Sequence, residues 1–271
     1  MPYIEVTFIE TSKATSDILV AMLDNLQYEG FEETPGKLKA FISSLLFDER
    51  KLENVANQFQ LKYTITKLPE INWNKEWESN FQPVIVEDFC TIRAEFHQPI
   101  KNVQHEIIIT PKMSFGTGHH ATTYMMIEQM QEINFPFKQV MDFGTGTGVL
   151  AILAKKLGAA AVVAIDNDTC SIDNAKENFK NNKVDDIELK LADQPITSIA
   201  CDIILANITR NVIQENFSLF NQYLISNGIL LLSGLLTNDE KDIALLAASY
   251  QFTLSKKLQK ENWICLKLIK Q

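Results

Sequence analysis

The chain has 271 residues, of which 46% are hydrophobic and 22% charged, and its formal net charge is −9. This length and composition are typical of a soluble globular enzyme, and we expect two domains rather than one. The acidic balance argues against a nucleic-acid partner, because proteins that bind a phosphate backbone usually carry the opposite charge.

The chain shows no sign of a membrane segment, a signal peptide or a metal centre. No window approaches the run of about 18 apolar residues that a membrane helix needs, and the first ten residues lack the pattern of a signal peptide. Cys90, Cys170, Cys201 and Cys265 are scattered without a Cys-x-x-Cys pair, as expected for reduced, structural thiols. We therefore expect a cytoplasmic protein without a disulfide or a zinc site.

Residues 1–69 predict a small α+β domain. Alternating apolar and polar residues in "YIEVTFIE" predict a half-buried strand, and three further strands follow. Two apolar sets at helical spacing predict two helices: Ile18, Leu19, Met22, Leu23 and Leu26, then Leu52, Val55, Ala56 and Phe59. The order β-α-β-β-α-β predicts a ferredoxin-like domain. It contains no His and no Cys, so we expect it to bind or position a partner.

Residues 70–82 are predicted to form a linker helix, in which Trp73 and Trp77 share one face. Residues 83–271 are assigned to a second domain. Its first part, residues 82–110, contains the strand-like runs "VIVEDFCTIRAEF" and "HEIIIT", which we predict to pair as a hairpin.

From about Lys138 onwards, short apolar strands alternate with helices. The strands are predicted at "KQVMDF", "AAVVAID", "IELKLA", "CDIILAN" and "GILLLSG", and "FTLSKKL" and "NWICLKLI" form a closing pair. This alternation predicts an α/β fold with a doubly wound, mostly parallel, Rossmann-like sheet. Ligands of such sheets bind at the carboxyl ends of the strands.

A glycine-rich loop, "DFGTGTG", follows the first of these strands, with Gly144, Gly146 and Gly148 at every second position. The nicotinamide fingerprint instead reads G-x-G-x-x-G. Asp142 lies two residues before the loop, where a carboxylate repels a pyrophosphate and favours a cation. S-adenosylmethionine, a nucleoside with a sulfonium and an amino-acid tail, fits such a loop. The alternative is a glycine loop without a ligand.

Three polar residues follow later strands and suit the rest of this cofactor. Asp166 ends the second strand and could accept hydrogen bonds from both ribose hydroxyls, or it could cap a helix, a role that Asp168 could equally fill. Asp193 could accept from the adenine amino group or be an ordinary loop residue. Asn207 ends the fourth strand, where we predict that it orients an amine for methylation; the alternative is a structural turn residue.

Two motifs limit the chemistry around Asn207. Amine methyltransferases often carry Asp/Asn-Pro-Pro-aromatic at this place, but here "LANITR" lacks the aromatic residue that stacks on a planar substrate. Upstream, "MSFGTGHHATT" resembles a loop that folds over a ligand. Its adjacent histidines, His119 and His120, lack the further ligands of a zinc site.

In order, "FGTGHHATT", "DFGTGTGVLAILAKKLGA", "AIDND" and "LANI" resemble the ribosomal protein L11 methyltransferase family, and "WNKEWESNFQPVIV" is similar to its linker. The resemblance implies transfer of methyl groups from S-adenosylmethionine to amino groups of ribosomal protein L11. It also implies that the N-terminal domain captures the substrate protein. The implied cofactor contacts are Thr123, Gly144, Asp166 and Asn207, with Phe115, Gly116 and Thr117 in a covering loop.

Other functions stay open at this point. The chain could methylate another protein, an RNA or a small-molecule amine, or it could be a non-enzymatic binding module or a nicotinamide oxidoreductase on the same type of sheet. We expect a monomer that has no nucleic-acid or membrane partner.

Overall fold

The computed structural model describes residues 3–9, 11–68, 82–111 and 120–271. The chain divides into two compact units, Met1–Phe81 and Gln82–Gln271. Nearly all of the predicted linker helix lies outside the described residues, as do Phe115, Gly116 and Thr117. Within the described ranges, no helix is long and apolar enough to cross a membrane.

The N-terminal unit has the predicted order of elements, with two helices among four strands. Its strands pair antiparallel in the order β2-β3-β1-β4. Leu19 and Leu23 of the first helix are fully buried, whereas Ile18 of the predicted stripe is 50% exposed. The elements are β1 (Tyr3–Ile9), α1 (Lys13–Asp24), β2 (Gly30–Thr34), β3 (Lys37–Ser43), α2 (Glu49–Gln58) and β4 (Lys62–Lys67).

A three-stranded sheet opens the second unit, and here the predicted hairpin is wrong. The sheet contains β5 (Val84–Val86), β6 (Cys90–Ala94) and β7 (His105–Ile109). The first apolar run alone makes an antiparallel hairpin, because its chain turns at Glu87, whose φ is 50°. The second run pairs with β6 in parallel, after a connection that returns the chain to the start of that strand.

The central sheet has seven strands in the order β10-β9-β8-β11-β12-β14-β13. The first five strands and β13 run in one direction, and β14 between β12 and β13 runs in the opposite one. The predicted α/β fold, its mostly parallel sheet and its closing strand pair are therefore confirmed. The elements are α3 (Ala121–Met130), β8 (Gln139–Phe143), α4 (Val149–Lys156), β9 (Ala161–Asp166), α5 (Thr169–Asn181), β10 (Glu188–Leu191), β11 (Cys201–Asn207), α6 (Arg210–Tyr223), β12 (Leu224–Leu236), a 3₁₀ turn (Thr237–Asp239), α7 (Glu240–Ser249), β13 (Phe252–Lys260) and β14 (Trp263–Lys270).

Burial of the strands on both faces holds this sheet in place. Helix α6 packs Ile213, Phe217 and Phe220 into one apolar core with β8, β11 and β12, and burial of each such side chain contributes about 1.5–3 kcal/mol. The order in which the chain adds strands reverses between β8 and β11, which are parallel and whose carboxyl ends lie side by side. An open α/β sheet binds its ligand at that position.

Candidate cofactor and active site

The glycine loop leaves β8 through backbone conformations that favour glycine. Gly144, Gly146 and Gly148 all have positive φ, at 75°, 54° and 81°. A Cβ atom on Gly144 would lie 2.2 Å from Cγ2 of Ile208, and one on Gly148 would lie 2.4 Å from Cε1 of Phe179. Conformation and packing therefore both require glycine at the first and third positions.

Asp166 ties the glycine loop to the end of β9. Its Oδ2 accepts a hydrogen bond from the Gly146 amide at 2.8 Å, and its Oδ1 accepts one from the Asp168 amide at 3.0 Å. Asp168 is the residue that caps α5, accepting from the amides of Cys170 and Ser171. The alternative that Asp166 caps this helix is therefore wrong. Each of its oxygens keeps a lone pair for a ligand hydroxyl.

Asp142 lies below the loop, with only 1% of its surface exposed. Its Oδ2 accepts from the Thr145 hydroxyl at 2.6 Å, and its Oδ1 has no hydrogen-bond partner among the described residues. Burial raises the pKa of this carboxyl to about 7, and the charge of Asp166 acts in the same direction, against hydrogen bonds from Thr145 and Ala151. At neutral pH the group is therefore ionised only in part, which weakens the charge argument made from the sequence.

Asn207 lies at the carboxyl end of β11 and faces the N-terminal turn of α3. Its Nδ2 donates to the hydroxyl of Thr123 at 3.2 Å. Its Oδ1 is buried and has no hydrogen-bond partner in the described part of the chain. A buried amide oxygen without a partner costs about 1–3 kcal/mol, so this oxygen is an unused acceptor in the site. A small cavity of about 20 Å³ brings Thr123 and Asn207 together with Gly144 and Gly146.

A larger cavity of about 430 Å³ adjoins the same residues. Gly144, Gly146, Asp166 and Asn207 all line it, and Asp193 adds a second carboxylate. Among its described lining residues there is no Lys and no Arg. Four predicted site residues thus share one cavity of ligand-binding size, and its acidic lining disfavours a phosphate-bearing nucleotide.

The sequence pattern gave no indication of the aromatic wall of this cavity. Trp263, predicted only as part of a closing strand, lines it together with His120. Their rings contact edge to face, with centroids 4.6 Å apart. Nδ1 of His120 also forms a hydrogen bond with the Thr122 hydroxyl at 2.7 Å and caps α3. Trp263 reaches the site because β14 runs antiparallel to β12 and so begins at the carboxyl edge of the sheet.

These features fit S-adenosylmethionine. The cavity has carboxylate acceptors for hydroxyls, an apolar wall, and no Lys or Arg among its described lining residues to select a phosphate. The free lone pairs of Asp166 suit a ribose, and the unused Oδ1 of Asn207 suits an N–H donor.

Comparison with known proteins identifies the family. The model of the family described as "Ribosomal protein L11 methyltransferase (PrmA)" matches residues 9–271. The chain belongs to this family. A curated ribosomal protein L11 methyltransferase from Phocaeicola vulgatus is 35% identical over 99% of both chains. Another from Porphyromonas gingivalis is 37% identical over 95% of this chain and 91% of its own.

A solved structure supports the same assignment. The ribosomal protein L11 methylase of Lactobacillus delbrueckii subsp. bulgaricus superposes with a TM-score of 0.66 at 28% identity, covering 70% of this chain and all of its own. This member of the ribosomal protein L11 methyltransferase family is therefore an S-adenosylmethionine-dependent methyltransferase. Its central sheet and the surrounding helices form a Rossmann-like class I methyltransferase domain. The resemblance expected from the sequence motifs is confirmed.

Proposed function

We propose that this enzyme transfers methyl groups from S-adenosylmethionine to amino groups of ribosomal protein L11, on lysine side chains, on the N-terminal α-amine or on both. The observation that carries this proposal is the buried, unused Oδ1 of Asn207 at the carboxyl edge of the sheet. Such an oxygen accepts an N–H and aims the nitrogen lone pair away from itself. The absence of a neighbouring Pro-Pro-aromatic segment suits an aliphatic amine better than a planar one.

In this proposal, Gly144, Gly146, Asp166 and Asn207 hold the cofactor within the larger cavity, and Thr123 supports Asn207 from α3. Asp142 lies beneath the glycine loop and supports it by accepting a hydrogen bond from the Thr145 hydroxyl. Phe115, Gly116 and Thr117 form the covering loop.

The bound cofactor supplies an electrophilic methyl group on a sulfonium, which is a good leaving group. The task of the protein is to hold a neutral amine in line with it, and such positioning can contribute several kcal/mol. A lysine amine has a pKa near 10.4 and an α-amine one near 7.7–8.0, and a closed site lowers both because burial disfavours the charged form. We therefore propose no dedicated strong base, and a methylation rate that rises with pH between about 6 and 9.

Residues 1–69 of the N-terminal unit are proposed to form a ferredoxin-like domain that recognises the substrate protein. Residues 70–82 are proposed to be the linker that presents different amines to one site. The absence of His and Cys from residues 1–69 supports a binding role. The acidic net charge of −9 suits a basic protein substrate. We further propose that the enzyme works as a monomer in the cytoplasm without contacting nucleic acid.

The test is to incubate the purified enzyme with S-adenosylmethionine and unmodified ribosomal protein L11, and to measure the intact mass of the substrate. We expect mass gains of about 14 Da per methyl group, and their loss in Asn207→Ala. If the mass does not change although calorimetry shows that the cofactor binds, the proposed substrate is wrong and the methyltransferase assignment stands.

A further inference from the structure

We propose that Asn178 is a positioning residue that holds the glycine loop of the cofactor site against the end of β7. Asn178 lies on α5, is completely buried, and lines neither of the two cavities described above. It nevertheless bonds to the glycine loop, through Thr147, and to Thr110, which follows β7. The inference rests on the assignment of S-adenosylmethionine as the cofactor and does not depend on the identity of the methylated substrate.

On one side, Asn178 holds the glycine loop. Its Nδ2 donates to the backbone carbonyl of Thr147 at 2.8 Å, between Gly146 and Gly148. The same helix packs flush against Gly148, where a Cβ atom would approach the side chains of both Phe179 and Ala175. The loop therefore rests on α5 through one directed hydrogen bond and one close apolar contact.

On its other side, Asn178 holds the end of β7. Its Oδ1 accepts from the Thr110 amide at 2.8 Å. Two neighbours on α5 fix the same residue, since the Thr110 hydroxyl donates to Glu177 at 2.9 Å and accepts from Asn181 at 3.2 Å. Thr110 precedes the predicted covering-loop residue Phe115 by five positions. One amide group thus connects the glycine loop to the end of β7.

This geometry predicts a specific contribution to cofactor affinity. The glycine loop contains three glycines with positive φ, and glycine-rich backbone can adopt many conformations. A ligand that binds only one of these conformations loses affinity, because ordering the loop costs conformational entropy. The hydrogen bond from Asn178 to the buried Thr147 carbonyl favours one loop conformation before the ligand binds. Loss of that bond lets the loop relax, and the cofactor must then reorder it.

Asn182 offers a matched control on the same helix. One turn after Asn178, it also holds β7 through its side-chain amide, accepting from the Ile108 amide at 2.9 Å and donating to the Ile108 carbonyl at 2.6 Å. Like Asn178, it is at least nine-tenths buried. None of its hydrogen bonds reaches the glycine loop. Its substitution therefore removes a comparable strand contact without touching the cofactor site.

The experiment compares Asn178→Ala and Asn182→Ala with the unaltered full-length enzyme. Isothermal calorimetry gives the Kd for S-adenosylmethionine, and thermal unfolding gives Tm. We expect both variants to lower Tm, and only Asn178→Ala to weaken cofactor binding, by about tenfold. In a methyl-transfer assay, the KM for the cofactor should rise in that variant while kcat changes by less than about twofold.

Equal Kd values for Asn178→Ala and the unaltered enzyme would overturn the inference, and so would an equal weakening in both variants. If Asn178→Ala does not fold, Asn178→Ser is measured in its place with the same criteria. Failure of the unaltered enzyme to bind S-adenosylmethionine would instead sink the cofactor assignment, so the two failures are distinguishable.

Discussion

At the level of single residues, Asn207 combines an amide nitrogen held by Thr123 with a buried amide oxygen that no other described residue uses. The nitrogen contact fixes the side-chain orientation, and the oxygen is left for an incoming N–H. A side chain with one atom held in place and another available as an acceptor is suited to orienting a small, mobile amine.

Removing this side chain should lower kcat for methyl transfer by about 100-fold at saturating cofactor, because misplacement of a reactant by about 1 Å costs that much. The measurement is the initial rate of methyl incorporation for Asn207→Ala. Asn216→Ala is the control, since the amide of Asn216 donates to Val212 within α6 at 2.9 Å and Asn216 lines neither of the two cavities described above. Similar losses of kcat in the two variants would contradict a role for Asn207 in orienting the amine.

Asp142 should make stability depend on pH. Burial raises the pKa of this carboxyl from its ordinary value of 3.8 to about 7 in the folded chain. The folded state therefore holds the proton more tightly than the unfolded state, and the free energy of unfolding falls as pH rises from about 4 to 7, by roughly 4 kcal/mol at most. Asp142→Asn should lack this fall, so its stability relative to the unaltered enzyme should improve towards pH 7.

Denaturant unfolding at several pH values measures that difference. Asp202→Asn is a control of opposite sign: burial acts to raise the pKa of Asp202, but its contacts with the Gln139 amide and with Lys138 lower the pKa overall. That variant should lose stability relative to the unaltered enzyme as pH rises through the acid range to about 4, and the difference should stay constant at higher pH. A constant difference between Asp142→Asn and the unaltered enzyme from pH 4 to 8 would show that this carboxyl keeps an ordinary pKa.

At the level of elements, α4 begins and ends at glycines with positive φ, Gly148 at 81° and Gly158 at 95°. Alanine at either place pays the cost of the left-handed conformation, about 1–2 kcal/mol. At Gly158 the nearest atom is 3.4 Å from the added Cβ, whereas at Gly148 the Phe179 ring is 2.4 Å away. Gly148→Ala should therefore destabilise the enzyme by about 1–3 kcal/mol more than Gly158→Ala.

Chemical denaturation of the two variants checks this expectation, and equal losses would mean that Phe179 moves aside without cost. Cofactor binding should fall only in Gly148→Ala, because Gly158 lies at the far end of the helix from the cavity.

Strand pairings that the alternation of strands and helices determines could be predicted from the sequence, and other pairings could not. Apolar strands alternating with amphipathic helices leave few arrangements other than a parallel sheet, and that sheet is observed. The pairing of β6 with β7 was mispredicted, because the apolar run does not encode the direction of its neighbour. Trp263 was missed as a cavity residue, because antiparallel pairing with β12 brings it there from near the end of the chain.

At the level of the whole molecule, the two compact units separate cofactor chemistry from the proposed recognition of the substrate. All the described residues that line the two cavities belong to residues 82–271. The N-terminal unit has its own apolar core, which includes Val6, Phe8, Leu19 and Leu52. The order of its helices and strands could be predicted from the sequence. The protein that it binds could not, because no short motif in this unit indicates a binding partner.

A fragment spanning Gln82–Gln271 should bind S-adenosylmethionine with the affinity of the full chain but should methylate ribosomal protein L11 at least about tenfold more slowly at low substrate concentration. Calorimetry and intact mass spectrometry of both proteins make this comparison. Methylation by the fragment at the full rate would show that the N-terminal unit does not recognise the substrate.

The acidic lining of the larger cavity, with Asp166 and Asp193 and without Lys or Arg among its described residues, also bears on turnover. Methyl transfer moves the positive charge from the nucleoside to the acceptor, so these carboxylates attract the fresh cofactor but not the neutral thioether that is left. The site thereby discriminates against its own by-product, and product inhibition should strengthen relative to cofactor binding as added salt screens the carboxylates.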